Sequence, residues 1–452
     1  MHTMYAHGYM KVALATPKIT IGNPLLNVKS FVDILDKQEA SIVLFPELSL
    51  SGYTAGDLFF HESFLSQTNQ ALTQIMEQTT YEGVYIIGMP VSIHDVLYNT
   101  AVVVQKDKIL GVVPKYFLPN FKEFYEKRWF QSGLTIHQDF VELLGQKVPF
   151  GQMIFTNHKH DVSFGIEICQ DMWTIQTPAD TLVLAGAHMI FNLSASTEFI
   201  SKVEQRRYTI LNASRKQNGA YLYTSSGSTE STTDVVYSSH KLAASLGEMV
   251  AESTFLDDDT VMCVDIDLEA IKYQRRMDST YRDQQIYHPV SIKKVSYELM
   301  DEQTYQFDID FDKTPFIPKE NYDFNLQLAH KVQKAGLIQK LNALPNSKVI
   351  IGISGGLDST LALLVAVSAF KEIKRDLKEI IAVTMPAEAT SKRSKSDALK
   401  LMNTLGVTAL EIPIFEMLEQ HLKDIKHEKE DVTYENAQAR IRTLVLMDLA
   451  NK

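Results

Sequence analysis

Two groups of residues in this chain could carry out chemistry, and the two chemistries differ. The first is a lone thiol, Cys169, which follows the apolar run Gly165 to Ile168. The second is a glycine-rich string between residues 354 and 360. A thiol can attack an amide carbon, whereas a glycine-rich loop at the start of a helix can hold a phosphate group. Together they suggest that one site makes a product that the other consumes.

The sequence around Cys169 predicts a sharp turn between a strand and a helix, with the sulfur exposed. A buried and inert cysteine is the alternative, because isolated cysteines are among the most buried residues. A reactive thiol needs a base and a donor for the oxyanion. Glu47 and Lys115 each follow an apolar run. Charges at strand ends are usually solvated, so these residues alone leave both interpretations open.

The glycine-rich loop lies between a predicted strand, Lys348 to Ile353, and a predicted helix. This arrangement directs backbone N–H groups and the helix dipole at an anion. The lysine of a P-loop is absent. A carboxylate in the first turn of a helix is also an ordinary partner of the helix dipole. The candidate nucleotide-binding residues are Ser354, Gly355, Gly356, Leu357, Asp358, Ser359 and Thr360.

Hydrophobic patterning predicts two α/β regions that must position these groups. Short apolar runs alternate with amphipathic stretches from residue 11 to about 265, which indicates an α/β sandwich. The polar segment 268–325 is interpreted as a connector. The order of strands and helices after it predicts a parallel sheet. We therefore expect domains over 1–267 and 326–452, in keeping with a length of 452 residues.

Composition narrows the classes of partner and location. The formal charge of −11 disfavours nucleic acid, since polyanions would be repelled. Only two cysteines, Cys169 and Cys263, are present, which favours a reducing cytoplasm over a disulfide framework. The longest apolar stretch, Leu361 to Phe370, is about half of what a membrane helix needs. The first residues lack the pattern of a signal peptide, so we expect neither secretion nor a membrane partner.

Three segments resemble the nitrilase, or carbon-nitrogen hydrolase, superfamily: Phe45 to Tyr53, Pro114 to Pro119 and Gly165 to Cys169. The resemblance covers residues 10–265 and implies a four-layer αββα sandwich. It assigns Glu47 as general base, Cys169 as nucleophile and Lys115 as the cation beside the oxyanion. Glu126 matches an extra carboxylate near the lysine, although on its own it is typical of a solvated helix charge.

Further segments resemble the glutaminase domain of glutamine-dependent NAD synthetases. They are Pro119 to Glu126, Asn192 to Ser196 and Glu230 to Asp234. The resemblance implies that Ser196 and Lys202 help to hold the head group of glutamine, although a helix cap and a solvated charge would explain them equally well. Phe121 stands in the substrate site where a tyrosine is common, and Gln170 stands where a glutamate is expected. Both departures leave the affinity for glutamine open.

The second half resembles the ATP-pyrophosphatase (PP-loop) family, which cleaves ATP between its α and β phosphates. That resemblance implies Asp358 as a Mg²⁺ ligand, with ATP and Mg²⁺ required. The stretches Val383 to Pro386 and Tyr434 to Arg442 resemble NAD synthetase segments, and Arg440 matches a residue of the deamido-NAD site. The implied partners are therefore glutamine, ATP and deamido-NAD, and the family implies a homo-oligomer.

The expected function is that of a glutaminase domain followed by the N-terminal part of an NAD synthetase domain. The family's synthetase domain continues for well over a hundred residues beyond the point matching Lys452, so we expect a partial parallel-sheet domain and glutaminase rather than synthetase activity. One alternative is a nitrilase-type amidase that feeds another PP-loop amidation, such as asparagine or GMP synthesis. The stretch Tyr434 to Arg442 argues against it. Another alternative is a noncatalytic fragment.

Overall fold

The structure is a computed structural model that describes residues 4–136, 138–230, 235–254, 256, 260–300, 307–309, 311–386 and 392–452, with 392–395 described in backbone only. It divides into two compact units, Met1–Phe311 and Asp312–Lys452. Each unit is described by itself. No helix in these described ranges is both long enough and apolar enough to cross a membrane.

The first unit contains two large β-sheets and several helices. Its helices are α1 (Pro24–Leu35), α2 (Glu62–Gln78), α3 (Pro178–Leu184), α4 (Lys202–Lys216), α5 (Leu268–Met277) and α6 (Ser279–Tyr287). Its strands are β1 (Tyr9–Thr16), β2 (Ile42–Leu44), β3 (Val84–Ile93), β4 (Val96–Gln105), β5 (Lys108–Pro114), β6 (Phe140–Leu143), β7 (Gln146–Pro149), β8 (Met153–Asn157), β9 (Val162–Ile168), β10 (Met189–Ser194), β11 (Ala220–Ser225), β12 (Lys241–Ser245), β13 (Glu248–Glu252), β14 (Thr260–Asp267) and β15 (Lys293–Ser296).

The two sheets have central parallel strands and antiparallel flanks. One sheet has six strands in the order β14-β1-β2-β3-β4-β5, and the other has seven in the order β13-β12-β11-β10-β9-β8-β15. Strands β1, β2 and β3 run parallel, as do β9, β10 and β11. Parallel neighbours end at the same edge of a sheet, so the residues that follow β1, β2 and β3 lie at one edge of the first sheet, and those that follow β9, β10 and β11 lie at one edge of the second.

Packing of the sheets explains why so many strands are apolar on both faces. A core between the sheets contains Leu44 from β2, Val103 from β4 and Ile168 from β9. Helices α1 and α2 cover the outer face of the first sheet, and α3 and α4 cover the outer face of the second. Strands buried on both faces read as continuous hydrophobic runs. The four-layer αββα sandwich predicted from the sequence is confirmed.

Local signals set the starts of helices in the outer layers. Before α1, the Asn23 side chain accepts a hydrogen bond from the N–H of Leu26, and Pro24 occupies the first turn. A side-chain oxygen at this position satisfies an N–H that has no partner within the helix. The inward face of α1 carries Phe31 and Leu35, which are completely buried. Apolar spacing and capping thus agree along this helix.

Much of the segment predicted as a connector is part of the first unit. Helices α5 and α6 follow β14 directly, and β15 pairs in parallel with β8 at the edge of the second sheet. Asp267 caps α5 by accepting from the N–H of Ala270, and Asp278 caps α6. The polar composition of this segment therefore belongs to solvated faces of ordered elements rather than to an extended link throughout.

The second unit is a three-stranded parallel sheet flanked by helices. The strand order is β16-β17-β18, and the register pairs Val349 with Ile380 and Ile381 with Thr408. This confirms the parallel sheet expected from the sequence. Its elements are α7 (Tyr322–Ala343), β16 (Val349–Gly352), α8 (Leu357–Glu372), β17 (Ile380–Thr384), α9 (Lys392–Leu405), β18 (Thr408–Glu411), α10 (Phe415–Asp424) and α11 (Val432–Asn451).

Candidate active site

Glu47 lies in a tight turn that follows β2. The turn is held against β3 because the N–H of Phe45 donates to the carbonyl of Ile86 at 2.9 Å and that of Leu50 donates to the carbonyl of Gly88 at 3.2 Å. Gly88 permits this approach, since a Cβ there would come within 2.3 Å of the Pro46 carbonyl oxygen. The sheet therefore fixes the backbone that carries Glu47, whose side chain is buried.

Lys115 follows β5 and projects into the same buried region. Its Nζ donates to Oε1 of Glu47 at 2.6 Å and to Oε1 of Glu126 at 2.6 Å. Its backbone N–H is anchored by the carbonyl of Asn99 at 2.8 Å. Glu126 is buried in a short 3-10 turn, so the solvated helix charge that its local sequence suggested is wrong. The structure thus joins one cation to two carboxylates.

Cys169 is the residue at which β9 turns into the short 3-10 helix Cys169–Trp173. Its φ of 45° lies in the left-handed region, which is uncommon for a residue with a side chain. The expected turn is present, but the expected exposure is wrong, because Cys169 is only 8% exposed. Strand β10 runs beside it, with Leu193 opposite Ile168. Ala195 lies just beyond the end of β10.

The acid, the amine and the thiol act on one another electrostatically. Burial raises the pKa of Cys169 to about 12, and the negative charge of Glu47 adds to this while Lys115 opposes it. Burial alone would lower the pKa of Lys115, but the charges of Glu126 and Glu47 outweigh it and raise that pKa above its ordinary value. The resting pocket therefore holds a neutral thiol and a charged lysine, so attack by sulfur requires a base to take its proton.

Several residues without a role in the sequence analysis hold Glu47 and Glu126 in place. Asn99 donates to Oε1 of Glu47 at 2.7 Å, and the N–H of Ala195 donates to Oε2 at 2.9 Å. The hydroxyl of Tyr53 donates to Oε1 of Glu126 at 2.7 Å. Asn99 is a polar residue in the largely apolar strand β4. Because buried polar groups need hydrogen-bond partners, its position in an apolar run is the feature of the sequence that could have indicated a role.

Asp171 links the segment of the nucleophile to the segment of the lysine. Its Oδ1 accepts from the N–H of Phe117 at 2.8 Å, and its Oδ2 accepts from the N–H of Ile168 at 3.0 Å. Burial raises its pKa to about 7, against the effect of the backbone donors. One buried carboxylate therefore bridges the turn before Cys169 and the loop after Lys115. Its position two residues after the thiol carries no local signal of this bridge.

The residues predicted to contact substrate lie in different surroundings. Ser196 is buried, and its Oγ accepts from Arg206. Lys202 is partly buried, with its Nζ 4.3 Å from the centre of the Trp173 ring. Phe121 is half exposed and its ring meets that of Phe124 edge-on at 6.2 Å, and Gln170 is partly buried. Ser196 is therefore buried beside Arg206, whereas Phe121 lies at the surface.

Glu230 is buried, and its carboxylate holds the backbone at Tyr53 and Thr54. It is the first residue of a segment that supported the family resemblance. Its Oε1 accepts from the N–H of Tyr53 at 2.6 Å, and its Oε2 accepts from the N–H and hydroxyl of Thr54 at 3.1 Å and 2.7 Å. Glu230 therefore fixes the backbone of the tyrosine that donates to Glu126. The other residues of that segment, 231–234, lie outside the described residues.

The glycine-rich loop of the second unit forms the predicted turn between β16 and α8. Gly355 has a φ of 85°, which favours glycine. The hydroxyls of Ser354 and Ser359 are 3.2 Å apart, and the Ser354 hydroxyl accepts from the N–H of Gly356 at 3.2 Å. The loop is open to solvent: Leu357 and Asp358 are exposed, and Thr360 is partly buried. Free N–H groups at the start of α8 can receive an anion.

A cavity of about 310 Å³ adjoins this loop and is lined by residues including Ser354, Thr384, Met385 and Arg442. Arg440, the predicted deamido-NAD contact, is exposed on α11 two residues from Arg442. Across the described ranges, three or more His, Cys, Asp or Glu side chains do not gather as a metal site. Mg²⁺ commonly takes one or two carboxylates together with substrate phosphates, so the exposed carboxylate of Asp358 fits that ion.

Comparison with known families separates the two halves of the chain. The carbon-nitrogen hydrolase family matches residues 11–276, and the NAD synthase family matches residues 329–452. The chain is similar to the "Glutamine-dependent NAD(+) synthetase" of Mycobacterium bovis, with 34% identity over 471 residues that cover 100% of this chain and 69% of that protein. It is also similar to that of Aquifex aeolicus, with 29% identity, 98% of this chain and 73% of that protein covered.

A solved structure gives the same picture of the fold. The crystal structure of a glutamine-dependent NAD(+) synthetase from Cytophaga hutchinsonii superposes with a TM-score of 0.52 and 19% identity. The match covers 98% of this chain and 73% of that one. At this identity the similarity supports the architecture of the chain and leaves its chemistry to the residues described above.

Proposed function

Because the chain belongs to the glutamine-dependent NAD(+) synthetases, with a carbon-nitrogen hydrolase domain followed by an NAD synthase domain, we propose that Cys169 hydrolyses glutamine. The sulfur attacks the side-chain amide carbon of glutamine, and Glu47 takes the thiol proton. The tetrahedral intermediate collapses to a thioester when Glu47 returns that proton to the departing ammonia. Water then attacks the thioester with Glu47 as base, which gives glutamate and the free thiol.

Lys115 is proposed to stabilise the oxyanion of both tetrahedral intermediates. Its charge is already in place in the buried pocket, so it needs no rearrangement when negative charge develops on the carbonyl oxygen. The contact between Lys115 and Glu47 at 2.6 Å is the observation that carries the proposal, because it brings the cation and the base together at a buried thiol. Ser196 and Lys202 are proposed to bind the head group of glutamine, with Phe121 and Glu126 beside them.

The second unit is proposed to bind ATP at Ser354–Thr360. The hydroxyls and N–H groups of the loop would hold phosphate oxygens, and Asp358 would hold Mg²⁺, which supplies positive charge to the phosphates when bound. In the proposed reaction, the carboxylate of deamido-NAD displaces pyrophosphate from ATP, and ammonia then displaces AMP to give NAD. Arg440 is proposed to contact deamido-NAD. Free cysteines at positions 169 and 263 favour a reducing cytoplasmic location.

Ammonia released from glutamine tests the first proposal. We expect Cys169→Ala to lower the rate at least about a thousandfold, because removal of a nucleophile abolishes the covalent route. Cys263→Ala is the matched control and should keep the wild-type rate, since Cys263 lies on β14 and its thiol donates to Gln38. Equal rates in wild type and Cys169→Ala would overturn the proposal and favour a noncatalytic fragment.

A further inference from the structure

Arg206, on α4, is a completely buried guanidinium that has no part in the proposed chemistry. Its Nη2 donates to Oγ of Ser196 at 3.2 Å and to Oε2 of Glu198 at 3.1 Å. Its Nη1 donates to Nδ1 of His240 at 2.7 Å. A buried cation is costly unless its donors are used, so an arginine at this position requires an explanation.

The contact with Arg206 fixes the tautomer of His240. A guanidinium only donates, so Nδ1 of His240 must accept, and Nε2 carries the hydrogen. Nε2 then donates to Oε1 of Glu252 at 2.8 Å, and Glu252 is held in turn by Nε of Arg207 at 2.7 Å. Burial, together with the charge of Arg206, lowers the pKa of His240 to about 4. The ring therefore stays neutral near pH 7, and its Nδ1 accepts the hydrogen bond that holds the guanidinium of Arg206 in place.

The same contact determines what the hydroxyl of Ser196 can do. Its oxygen accepts from Arg206, so its single hydrogen is directed elsewhere. The carbonyl of Thr197 is 3.5 Å away, at the limit of a hydrogen bond. Ser196 adjoins the proposed base, since the N–H of the preceding residue, Ala195, donates to Oε2 of Glu47 at 2.9 Å, and the Ser196 side chain is also hydrogen bonded to Tyr223. Its partners in the structure, the Thr197 carbonyl and the Tyr223 hydroxyl, are neutral, so an anionic group in the pocket would be a stronger acceptor of that hydrogen.

We propose that Arg206 is a positioning residue for substrate specificity, which orients the Ser196 hydroxyl as a donor to the α-carboxylate of the substrate. The site then favours an amide that carries an amino-acid head group over a simple amide. This inference rests on the proposed glutaminase function. It assigns Arg206 no contact with the reacting atoms, so its loss acts on recognition of the head group rather than on the attack by sulfur.

Two compounds distinguish an effect on binding of the head group from an effect on the reactivity of the Cys169 sulfur. Glutamine carries the α-carboxylate, and its hydrolysis is measured as the rate of ammonia release. Iodoacetamide lacks an α-carboxylate and alkylates thiols. Its reaction with Cys169 is measured by mass spectrometry of the peptide that contains Cys169, so that alkylation of Cys263 does not interfere. We expect Arg206→Met to raise KM for glutamine about tenfold, the equivalent of one hydrogen bond. The expected change in kcat and in the alkylation rate is less than about threefold, because neither depends on the α-carboxylate.

A double-variant cycle tests whether the effect passes through Ser196. In a Ser196→Ala background, Arg206→Met should raise KM by less than about twofold further, because the hydroxyl that it orients is gone. Arg206→Lys keeps the charge without the planar fork and should raise KM by an intermediate factor, which preserves the test if Arg206→Met does not fold. Arg275→Met removes another buried arginine, one that donates to backbone carbonyls, and should leave KM unchanged.

A higher KM with unchanged alkylation, abolished in the Ser196→Ala background, supports the inference. An unchanged KM in Arg206→Met and Arg206→Lys overturns it, as do independent effects of Arg206 and Ser196 or equal losses for both probes. Wild-type protein that releases no ammonia from glutamine contradicts the glutaminase function itself, which is a separate result.

Discussion

Nζ of Lys115 lies 2.6 Å from Oε1 of Glu47, and both side chains are completely removed from solvent. Charged side chains are rarely buried unless they are paired and hydrogen bonded, and here Glu126 and Asn99 supply further partners. The proposed base and the proposed oxyanion cation are therefore held in one fixed arrangement before substrate binds. This arrangement makes the effects of single substitutions predictable.

Lys115→Met is expected to abolish glutamine hydrolysis and to destabilise the first unit. The substitution leaves two buried carboxylates without their cation, which typically costs about 3–5 kcal/mol. Urea unfolding followed by tryptophan fluorescence measures this, because Trp129 and Trp173 both belong to the first unit. The control Lys29→Met removes a solvated partner of Asp33 and should change the free energy of unfolding by less than about 1 kcal/mol. Similar losses in both variants would contradict the argument.

Glu126→Gln is expected to gain stability relative to wild type as pH rises. Burial raises the pKa of Glu126 from its ordinary 4.5 to about 7. Between these values the folded protein holds a proton that the unfolded chain has lost, so stability from this group falls as pH rises and levels off above pH 7. Glutamine at this position does not titrate. The difference in free energy of unfolding between variant and wild type, measured at pH 5 and pH 8, should therefore move in favour of the variant at pH 8.

Asp171→Asn is expected to lower both stability and turnover. The amide can accept through one oxygen only, which leaves at least one of the N–H groups of Phe117 and Ile168 without its partner. An unsatisfied buried donor costs about 1–3 kcal/mol. Because the bridge joins the segments of Lys115 and Cys169, kcat for glutamine should fall more than KM rises. Asp57→Asn, at an exposed carboxylate bound to Arg128, is the control and should leave kcat unchanged. An unaltered kcat in Asp171→Asn would refute the positioning role.

Asp358→Asn is expected to remove the Mg²⁺ dependence of ATP binding. Mg²⁺ prefers charged oxygen ligands, whereas the loop N–H groups and hydroxyls act on phosphate directly. Titration calorimetry with ATP, with and without Mg²⁺, should show a strengthening by Mg²⁺ in wild type and little in the variant. Asp376→Asn is a suitable control, because that aspartate caps the short 3-10 turn Leu377–Glu379. Equal Mg²⁺ dependence in wild type and Asp358→Asn would exclude the proposed ligand.

Most elements could be predicted from the sequence because their signals are local. Strand β16, Val349–Gly352, lies within the predicted strand Lys348 to Ile353, and the predicted helix follows it as α8. The segment 268–325 is the exception. Polar composition concealed α5, α6 and β15, whose burial depends on β8 and on the second sheet rather than on neighbours in sequence.

Only some residues of the candidate site were predicted from the sequence. Glu47, Lys115 and Cys169 were identified through family resemblance, since a charge at a strand end has no local property that distinguishes a buried partner from a solvated one. Asn99, Tyr53 and Asp171 were missed for the same reason. Exposure of the Cys169 sulfur was predicted wrongly, because the surrounding sheets and loops, and not its own turn, determine how much solvent reaches it.

The sequence by itself determined the periodicity of strands and helices, the glycine conformation of the glycine-rich loop and the residue types able to act as base, cation and nucleophile. These depend on each residue and its near neighbours. Only the tertiary structure decided that Lys115 is shared by Glu47 and Glu126, that Asp171 joins two distant segments and that Arg206 reaches Ser196. The physical reason is that hydrogen bonds and burial act through space over a few ångströms, between residues that the chain order leaves far apart.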